Sequence, residues 1–294
     1  MSSIHDRWLR RAYRPDKDAI QKLSGTRPFA VITGASEGIG RAFASELATR
    51  GHNILIIARD PDNLVAAAHD IARAAPGVDV LTLSLDVTAS DAIARLSAKL
   101  IAHDAYTDIL VNNTGTGLSG DFTAASVEDL EQLVALNISA ATRLLHHVLP
   151  GMRTRGRGGI INIASLGGLV PGPYQAAYYA SKAYLISLSR AVAWENRGLG
   201  VRICAVAPGP VETGFHARMN AESALYRQLL PAQNPDQVAK SALRGYRWGR
   251  TLVVPGLLNT MMAIALKILP AGLMIPVLAI LLRPAASAVK PKET

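Results

Sequence analysis

A glycine-rich turn near residue 34 constrains the fold of this chain more than any other feature. The turn follows a short apolar run at residues 29–33, contains Gly34, Gly38 and Gly40, and precedes a predicted helix at residues 41–50. Glycine permits a tight turn and lets a backbone approach a pyrophosphate closely, while the N–H groups at a helix start attract anions. The sequence therefore predicts a nucleotide-binding strand–turn–helix unit; the alternative is a purely structural turn.

Strand-like and helix-like patterns alternate from residue 29 to residue 254. Further strands are predicted at residues 53–58, 80–85, 108–112, 159–165 and 201–207, and further helices at residues 63–74, 90–102, 127–149, 176–197 and 235–248. This alternation predicts an α/β fold, namely a Rossmann-like, doubly wound, seven-stranded parallel sheet with helices on both faces. A single domain over residues 28–254 would contain it.

The end of the second predicted strand bears on the choice of dinucleotide. An acidic residue there would bind the ribose hydroxyls of NAD, whereas an arginine accommodates the 2′-phosphate of NADP. Here Ala58 is followed by Arg59, and arginine forms charge-assisted bonds to phosphate. Asp60 is better interpreted as a helix N-cap. We therefore expect NADP in preference to NAD, with a solvated loop charge as the alternative for Arg59.

A phenol and an ammonium group are predicted to share one face of the helix at residues 176–197. Tyr178 and Lys182 lie four residues apart, and a nearby positive charge favours the phenolate. We therefore expect a lowered pKa for Tyr178, which could then exchange a proton with a carbonyl or alcohol oxygen. Such a pair is also common on helices without catalytic function. Tyr179 is the rival phenol.

Several separated motifs in order resemble the short-chain dehydrogenase/reductase family over roughly residues 28–254. Thr33 to Gly40 is similar to its T-G-x-x-x-G-x-G motif, and residues 112–115 to its N-N-A-G motif, with Thr114 in place of alanine. The matching catalytic tetrad is Asn137, Ser165, Tyr178 and Lys182.

The resemblance implies reversible hydride transfer between a nicotinamide and a carbonyl/alcohol carbon. Tyr178 would be the general acid or base, Lys182 would lower its pKa and hold the nicotinamide ribose, and Ser165 would bond the substrate oxygen. Asn137 would mark a helix kink with an ordered water. The expected cofactor-binding residues are Gly34, Ser36, Glu37, Gly38, Ile39, Gly40, Arg59, Asp86, Val87, Asn113, Gly115, Tyr178, Lys182, Pro208, Gly209, Val211 and Thr213.

Composition limits the compartment and the partners. The single cysteine, Cys204, lies in an apolar strand, which suits a reducing cytoplasm. The histidines have no metal-site spacing, so no metal is expected. The formal net charge is +9, which favours anions or an acidic membrane surface. No aromatic-basic motif indicates nucleic acid.

The two ends of the chain differ from the predicted domain. Residues 1–27 form a basic N-terminal extension without a secretory signal, interpreted as a short helix that packs on the domain or on a partner subunit, or lies on an anionic membrane. Residues 255–294 form a hydrophobic extension, interrupted by Lys267, Pro270 and Pro276, which disfavours a spanning helix. Three interpretations stay open for it: a lid on the substrate pocket, an oligomer interface, or peripheral membrane contact. A homodimer or homotetramer is expected.

The substrate is not encoded in a motif. The family's substrate loop corresponds to residues 212–232, where Phe215, Met219 and Tyr226 indicate an apolar carbonyl or alcohol compound; packing in the core is an equal alternative. Three rival functions are a non-catalytic NADP-binding scaffold, a membrane-associated lipid or ketoacyl reductase, and a sugar-nucleotide epimerase or dehydratase. The last is disfavoured, because little chain follows Lys182 to form a second domain.

Overall fold

A computed structural model of the chain describes residues 25–219, 221 and 224–284. Within these residues, seven parallel strands form one sheet in the order β3-β2-β1-β4-β5-β6-β7. The strands are β1 (Arg27–Thr33), β2 (Asn53–Ala58), β3 (Val80–Ser84), β4 (Ala105–Asn112), β5 (Gly158–Ile163), β6 (Val201–Val206) and β7 (Leu252–Val253). The predicted fold class is confirmed. The predicted N-terminal helix lies within residues 1–24, outside the described residues.

Helices connect the strands and cover both faces of the sheet. They are α1 (Gly38–Ala48), α2 (Pro61–Ala74), α3 (Ala92–Ile101), α4 (Val127–Val134), α5 (Ala141–Arg155), α6 (Ala176–Glu195), α7 (Phe215–Arg218), α8 (Leu225–Leu229), α9 (Pro235–Arg247), α10 (Leu257–Ile268) and α11 (Ala271–Leu282). Alternate residues of β1 enter different cores: Ala30 and Ile32 pack on one face, Phe29 and Val31 on the other. Both faces are buried, so the central strands are almost continuously apolar.

The order of the strands determines where a ligand can bind. The chain moves outward from β1 to β3 and then returns to place β4 on the other side of β1. A crevice opens at this reversal, beyond the carboxyl ends of the strands. The glycine turn after β1, Asn113 after β4, Ser165 after β5 and Pro208 after β6 all follow strands that end at this edge.

The helix predicted at residues 127–149 differs from the structure. It is divided into α4 and α5 by a π-helical turn, Ala135–Ala140, and α5 continues to Arg155 despite Pro150. Buried Asn137 lies in the π turn, where its amide bonds to backbone atoms of Thr116. Single π turns interrupt α-helices where local hydrogen bonding competes with the helical pattern. The expected interruption of the helix at Asn137 is therefore present as a π turn, and the ordered water expected there stays a prediction.

The apolar C-terminal segment folds as two helices. Pro270 lies between α10 and α11, and Pro276 lies inside α11. Each helix has 12 residues. Among the residues that the structure describes, no helix combines the length and apolar character needed to cross a membrane.

Candidate active site

The glycine turn places bare backbone at the edge of the sheet. Gly34 and Gly38 have φ angles of 62° and 56°, which side chains other than glycine adopt only with strain. A Cβ on Gly40 would lie 2.2 Å from the Gly34 carbonyl oxygen, so α1 packs directly against the turn. The N-terminus of α1 thus faces the crevice with its free N–H groups, a suitable position for a pyrophosphate.

Asn113 fastens this turn to the neighbouring strand end. Its side-chain amide donates to the carbonyl oxygens of Thr33 at 3.0 Å and Gly34 at 2.9 Å. In return, the Thr33 hydroxyl accepts from the backbone N–H groups of Asn113 at 3.0 Å and Thr114 at 3.1 Å. From the sequence, Thr33 is indicated only as part of the glycine motif. Its bridging role depends on a contact between distant segments that a sequence does not reveal.

Three polar residues, Arg59, Asp60 and Asp86, follow the ends of β2 and β3 and line the crevice. Asp60 caps α2 by accepting from the N–H groups of Asp62 and Asn63, both at 3.0 Å, which confirms its interpretation as an N-cap. Arg59 is exposed on the crevice wall. Asp86 accepts from the hydroxyl and the N–H of Thr88, and these bonds, followed by the charge of Arg59, lower the pKa of Asp86. Asp86 therefore remains a carboxylate at neutral pH.

Tyr178 and Lys182 lie together, buried, in the first turns of α6. The Lys182 Nζ atom lies 5.7 Å from the centre of the Tyr178 ring and donates to the Ile163 carbonyl oxygen at 3.0 Å. The Tyr178 side chain hydrogen-bonds to that of Ser165, whose Oγ also accepts from the Gly167 N–H at 3.1 Å. The three predicted groups thus converge at one place.

Burial opposes the expected pKa shift of the phenol. Desolvation raises the pKa of Tyr178 to about 12, although the Ser165 hydrogen bond lowers it in part. Burial also lowers the pKa of Lys182 to about 8. For the chain by itself, the predicted lowering of the Tyr178 pKa was therefore wrong, because the desolvation of a fully buried phenol outweighs the neighbouring amine. Tyr178 is a neutral phenol and Lys182 is largely protonated at pH 7.

Asn137 lies behind this group rather than in the crevice. Its amide donates to the Thr116 carbonyl oxygen at 2.8 Å and to the Ser181 hydroxyl at 3.0 Å. Both Asn137 Oδ1 and Lys182 Nζ lie 3.2 Å from the position that a Cβ on Gly115 would occupy. A side chain at Gly115 would therefore crowd both groups.

One cavity of about 1040 Å³ joins nearly all of the predicted site residues. Of the predicted cofactor-binding residues, only Gly40 lies outside its wall. The cavity extends past Tyr178 to Phe215, Met219 and Tyr226 from the predicted substrate loop, while Leu225 and Leu229 of that loop are exposed. Its far wall is formed by α10 and α11, through Met262, Ala265, Leu266, Met274, Val277, Leu278, Leu281 and Leu282.

Two further contacts hold the far wall and the loop in place. Buried Asn259 in α10 bonds to Gln233 at 2.8 Å and to the Pro255 carbonyl oxygen at 3.0 Å, and it packs so closely on Gly209 that a Cβ there would approach within 2.5 Å. Arg218 forms a 2.6 Å ion pair with Glu37 of the glycine turn. The sequence analysis missed both contacts. For Asn259, its isolated position as a polar residue in an apolar run could have indicated a buried contact.

The geometry describes a dinucleotide-binding α/β protein with a buried Ser–Tyr–Lys group beside the nucleotide crevice. A family model for short chain dehydrogenases matches residues 28–224. The chain belongs to the short-chain dehydrogenase family of oxidoreductases. Within the described residues, no group of histidine, cysteine and acidic side chains is arranged to hold a metal ion.

Relatives by sequence include an inactive hydroxysteroid dehydrogenase-like protein 1 from Homo sapiens, 37% identical over 65% of this chain and 58% of the relative. A 3-ketodihydrosphingosine reductase from Bacteroides thetaiotaomicron is 33% identical over 74% of each chain. A very-long-chain 3-oxoacyl-CoA reductase from Ajellomyces capsulatus is 36% identical over 62% of this chain and 56% of the relative. Alignment with the human and fungal relatives therefore spans little more than half of their length.

Among solved structures, a short-chain dehydrogenase from Sphingobium yanoikuyae in complex with NADPH has a TM-score of 0.74 and 31% identity. The similarity covers 91% of this chain and 98% of that one.

Proposed function

We propose that this protein is an NADP(H)-dependent oxidoreductase that acts on a carbonyl or alcohol group of an apolar small molecule. The observation that carries the proposal is the single cavity, which joins the glycine turn and Arg59 to the Tyr178 hydroxyl and then to an apolar wall. When bound, the nicotinamide cofactor supplies or accepts the hydride. The residues of the chain would bind and orient the cofactor and the substrate, and they would transfer the proton.

The crevice fits a phosphorylated dinucleotide. Bare backbone at Gly34 and Gly38 and the free N–H groups of α1 suit the pyrophosphate. Arg59 is exposed on the same wall, and the carboxylate of Asp60 is occupied by the N-cap of α2. A 2′-phosphate therefore has an exposed cation beside it, whereas the Asp60 carboxylate at the same strand end already accepts three hydrogen bonds at the start of α2. The Sphingobium structure in complex with NADPH supports this preference.

Proton transfer would depend on the buried group. Tyr178 is a neutral phenol at pH 7, so it can donate a proton to a substrate oxygen as negative charge develops there. Ser165 would donate a second hydrogen bond to that oxygen. Protonated Lys182 would stabilise the phenolate left behind, and Asn137 would hold the π turn and Ser181 against α6. At pH 7 the raised pKa of Tyr178 keeps its hydroxyl protonated, which is the state needed for a proton donor.

An apolar substrate fits the far wall of the cavity. Beyond Tyr178, the wall comprises Phe215 and Met219 from the loop and methionine and leucine side chains from α10 and α11. The names of two relatives, a ketodihydrosphingosine reductase and a very-long-chain oxoacyl-CoA reductase, support a lipid-like carbonyl compound. A ketone with a long alkyl chain is therefore the first substrate to test.

A second candidate function is nucleotide binding without turnover, because one relative is named an inactive protein. The intact Ser165, Tyr178 and Lys182 group argues against it. A cytoplasmic location and a homodimeric or homotetrameric state are also proposals; the single buried thiol supports the former, and sedimentation of the purified protein would test the latter.

The test measures the reductase activity of three tyrosine variants and the unmodified protein. The substrates are long-chain ketones, ketosteroids and 3-ketoacyl thioesters, each with NADPH and with NADH. Tyr178→Phe should lower kcat at least about 100-fold, the scale of general acid catalysis, while NADPH binding persists. Tyr179→Phe shows whether Tyr178 or the adjacent Tyr179 transfers the proton. Tyr184→Phe is the control, since its hydroxyl bonds to Thr142 at 2.9 Å outside the cavity wall.

Activity of Tyr178→Phe near that of the unmodified protein would exclude this assignment. Tight NADPH binding without oxidation across the whole panel would favour the non-catalytic candidate.

A further inference from the structure

The C-terminal hairpin, our name for the consecutive helices α10 and α11 with the turn at Pro270, carries large apolar side chains that are exposed. On α10 these recur at spacings of three and four residues, and on α11 at seven, so each set follows one helix face. Their exposed fractions range from 53% to 79%. We call them the outer face: Leu257, Met261, Ile264, Ile268, Leu273 and Ile280.

The opposite side of the same hairpin is also apolar. Met262 and Leu266 of α10 and Met274 and Leu278 of α11 line the cavity. A helix that is apolar on all sides is stable only when protein or lipid covers each side. The cavity wall accounts for the inner side, so the outer face has the character of a contact surface.

The charges on the hairpin identify the kind of surface that complements it. Residues 255–284 contain no aspartate or glutamate, and their only formal charges are Lys267 and Arg283, both exposed. A two-fold contact of this face with its own copy would bring these cations together without an acidic partner from the segment. Lipid phosphate and carboxylate groups would neutralise them, and Lys290 and Lys292 follow in the sequence.

The dimensions of the hairpin fit a shallow contact. A helix of 12 residues is about 18 Å long, which is shorter than the hydrocarbon core of a bilayer, and Pro270 turns the chain between the two. At a membrane interface, apolar side chains enter the acyl boundary, while the ends of lysine and arginine side chains stay at the head groups.

We propose that the outer face of the α10–α11 hairpin docks on the anionic surface of a lipid bilayer. Lys267 and Arg283 then contact the head groups, and the leucine and isoleucine side chains enter the acyl boundary. An apolar substrate dissolved in lipid would reach the cavity wall directly behind the contact; that consequence, unlike the docking, rests on the proposed function.

The test is flotation of the full chain with vesicles, which requires no enzymatic activity. Vesicles of phosphatidylcholine with roughly 30% phosphatidylserine should bind the protein at least tenfold more strongly than phosphatidylcholine alone, because anionic lipid attracts the basic residues. Ile268→Glu should reduce this binding at least tenfold. Ile101→Glu is the matched control, since both isoleucines are 74% exposed at helix ends and the change in charge is identical.

Ile280→Glu repeats the test on α11 if Ile268→Glu lowers the melting temperature. Equal flotation of the hairpin variants and Ile101→Glu would overturn the proposal, as would a failure of the unmodified chain to bind the anionic vesicles. Dissociation of an oligomer by Ile268→Glu, with vesicle binding unchanged, would instead assign the outer face to a second copy. If the unmodified protein floated with the anionic vesicles but reduced none of the ketones, only the proposed function would be refuted.

Discussion

Substitution of Gly40 by alanine tests the packing of the glycine turn most directly. The added Cβ would lie 2.2 Å from the Gly34 carbonyl oxygen and 2.5 Å from the Asn113 amide nitrogen. Neither neighbour can withdraw easily, because the first is backbone and the second is held by bonds of 3.0 Å and 2.9 Å to the carbonyl oxygens of Thr33 and Gly34. A separation of 3.0 Å would require α1 and the turn to move apart by about 0.8 Å.

Two opposing contributions set the change in the free energy of unfolding. Alanine in place of glycine within a helix stabilises it by about 1 kcal/mol. Overpacking costs about 1–3 kcal/mol, and the upper end applies because the clash is with backbone. We therefore expect Gly40→Ala to lower the free energy of unfolding by about 2 kcal/mol. It should also weaken NADPH binding, since the displaced turn is the proposed pyrophosphate site.

Gly272→Ala is the control for the helical effect alone. It also adds a Cβ within a helix, but no atom lies within 4 Å of that position. Urea unfolding and a fluorescence titration with NADPH would be compared for the two variants and the unmodified protein. If Gly40→Ala unfolds at the same urea concentration as Gly272→Ala and binds NADPH equally well, the close packing of α1 on the turn is refuted.

Three further predictions use other parts of the site. Lys182 has a pKa of about 8 when folded, below its value of 10.5 when unfolded, so its penalty to folding begins to fall as pH rises through 8 and is gone only above pH 10.5. Stability relative to Lys182→Met should rise by about 1.4 kcal/mol from pH 7 to pH 9 in urea unfolding, and parallel profiles would contradict this. Arg59→Ala should lower kcat/KM for NADPH at least about tenfold and leave NADH little changed, since one charged hydrogen bond is lost; an equal effect on both cofactors would remove Arg59 from the phosphate site. Burial raises the pKa of Cys204 to about 12, so thiol reagents at pH 8 should modify it only at the rate of unfolding; rapid modification of folded protein would show the strand to be accessible.

Local patterns predicted the architecture because each element carries its own signal. The continuous apolar runs of β1 and β2 indicate strands buried on both faces, and the glycines after β1 indicate a strand-to-helix turn. The convergence of Asn112, Ser165 and Pro208 also followed from sequence, since strand ends of a parallel sheet meet at one edge. Tyr178 and Lys182 lie on a helix, and their place beside Ser165 was implied by the family resemblance.

The features that were missed depend on contacts between distant residues. The pKa of Tyr178 was predicted in the wrong direction because the i, i+4 spacing shows its neighbour but does not measure its burial. Likewise, Asn259 against Gly209 and Arg218 against Glu37 join segments far apart in sequence. The interruption of the helix near Asn137 was anticipated, but the extent of the π turn was not, since it depends on the backbone of Thr116.

The far wall of the cavity has an evolutionary consequence. The glycine turn, Ser165, Tyr178 and Lys182 are all set by β1 to β6 and α6, whereas α10 and α11 follow the last strand of the sheet. Asn259 packs on Gly209 of the nucleotide crevice, but mutations at the other cavity-lining positions of α10 and α11 can reshape the space for a ligand without altering the strands. Separate stretches of the gene therefore encode the proposed substrate wall and the proposed chemistry, so each can change with little effect on the other.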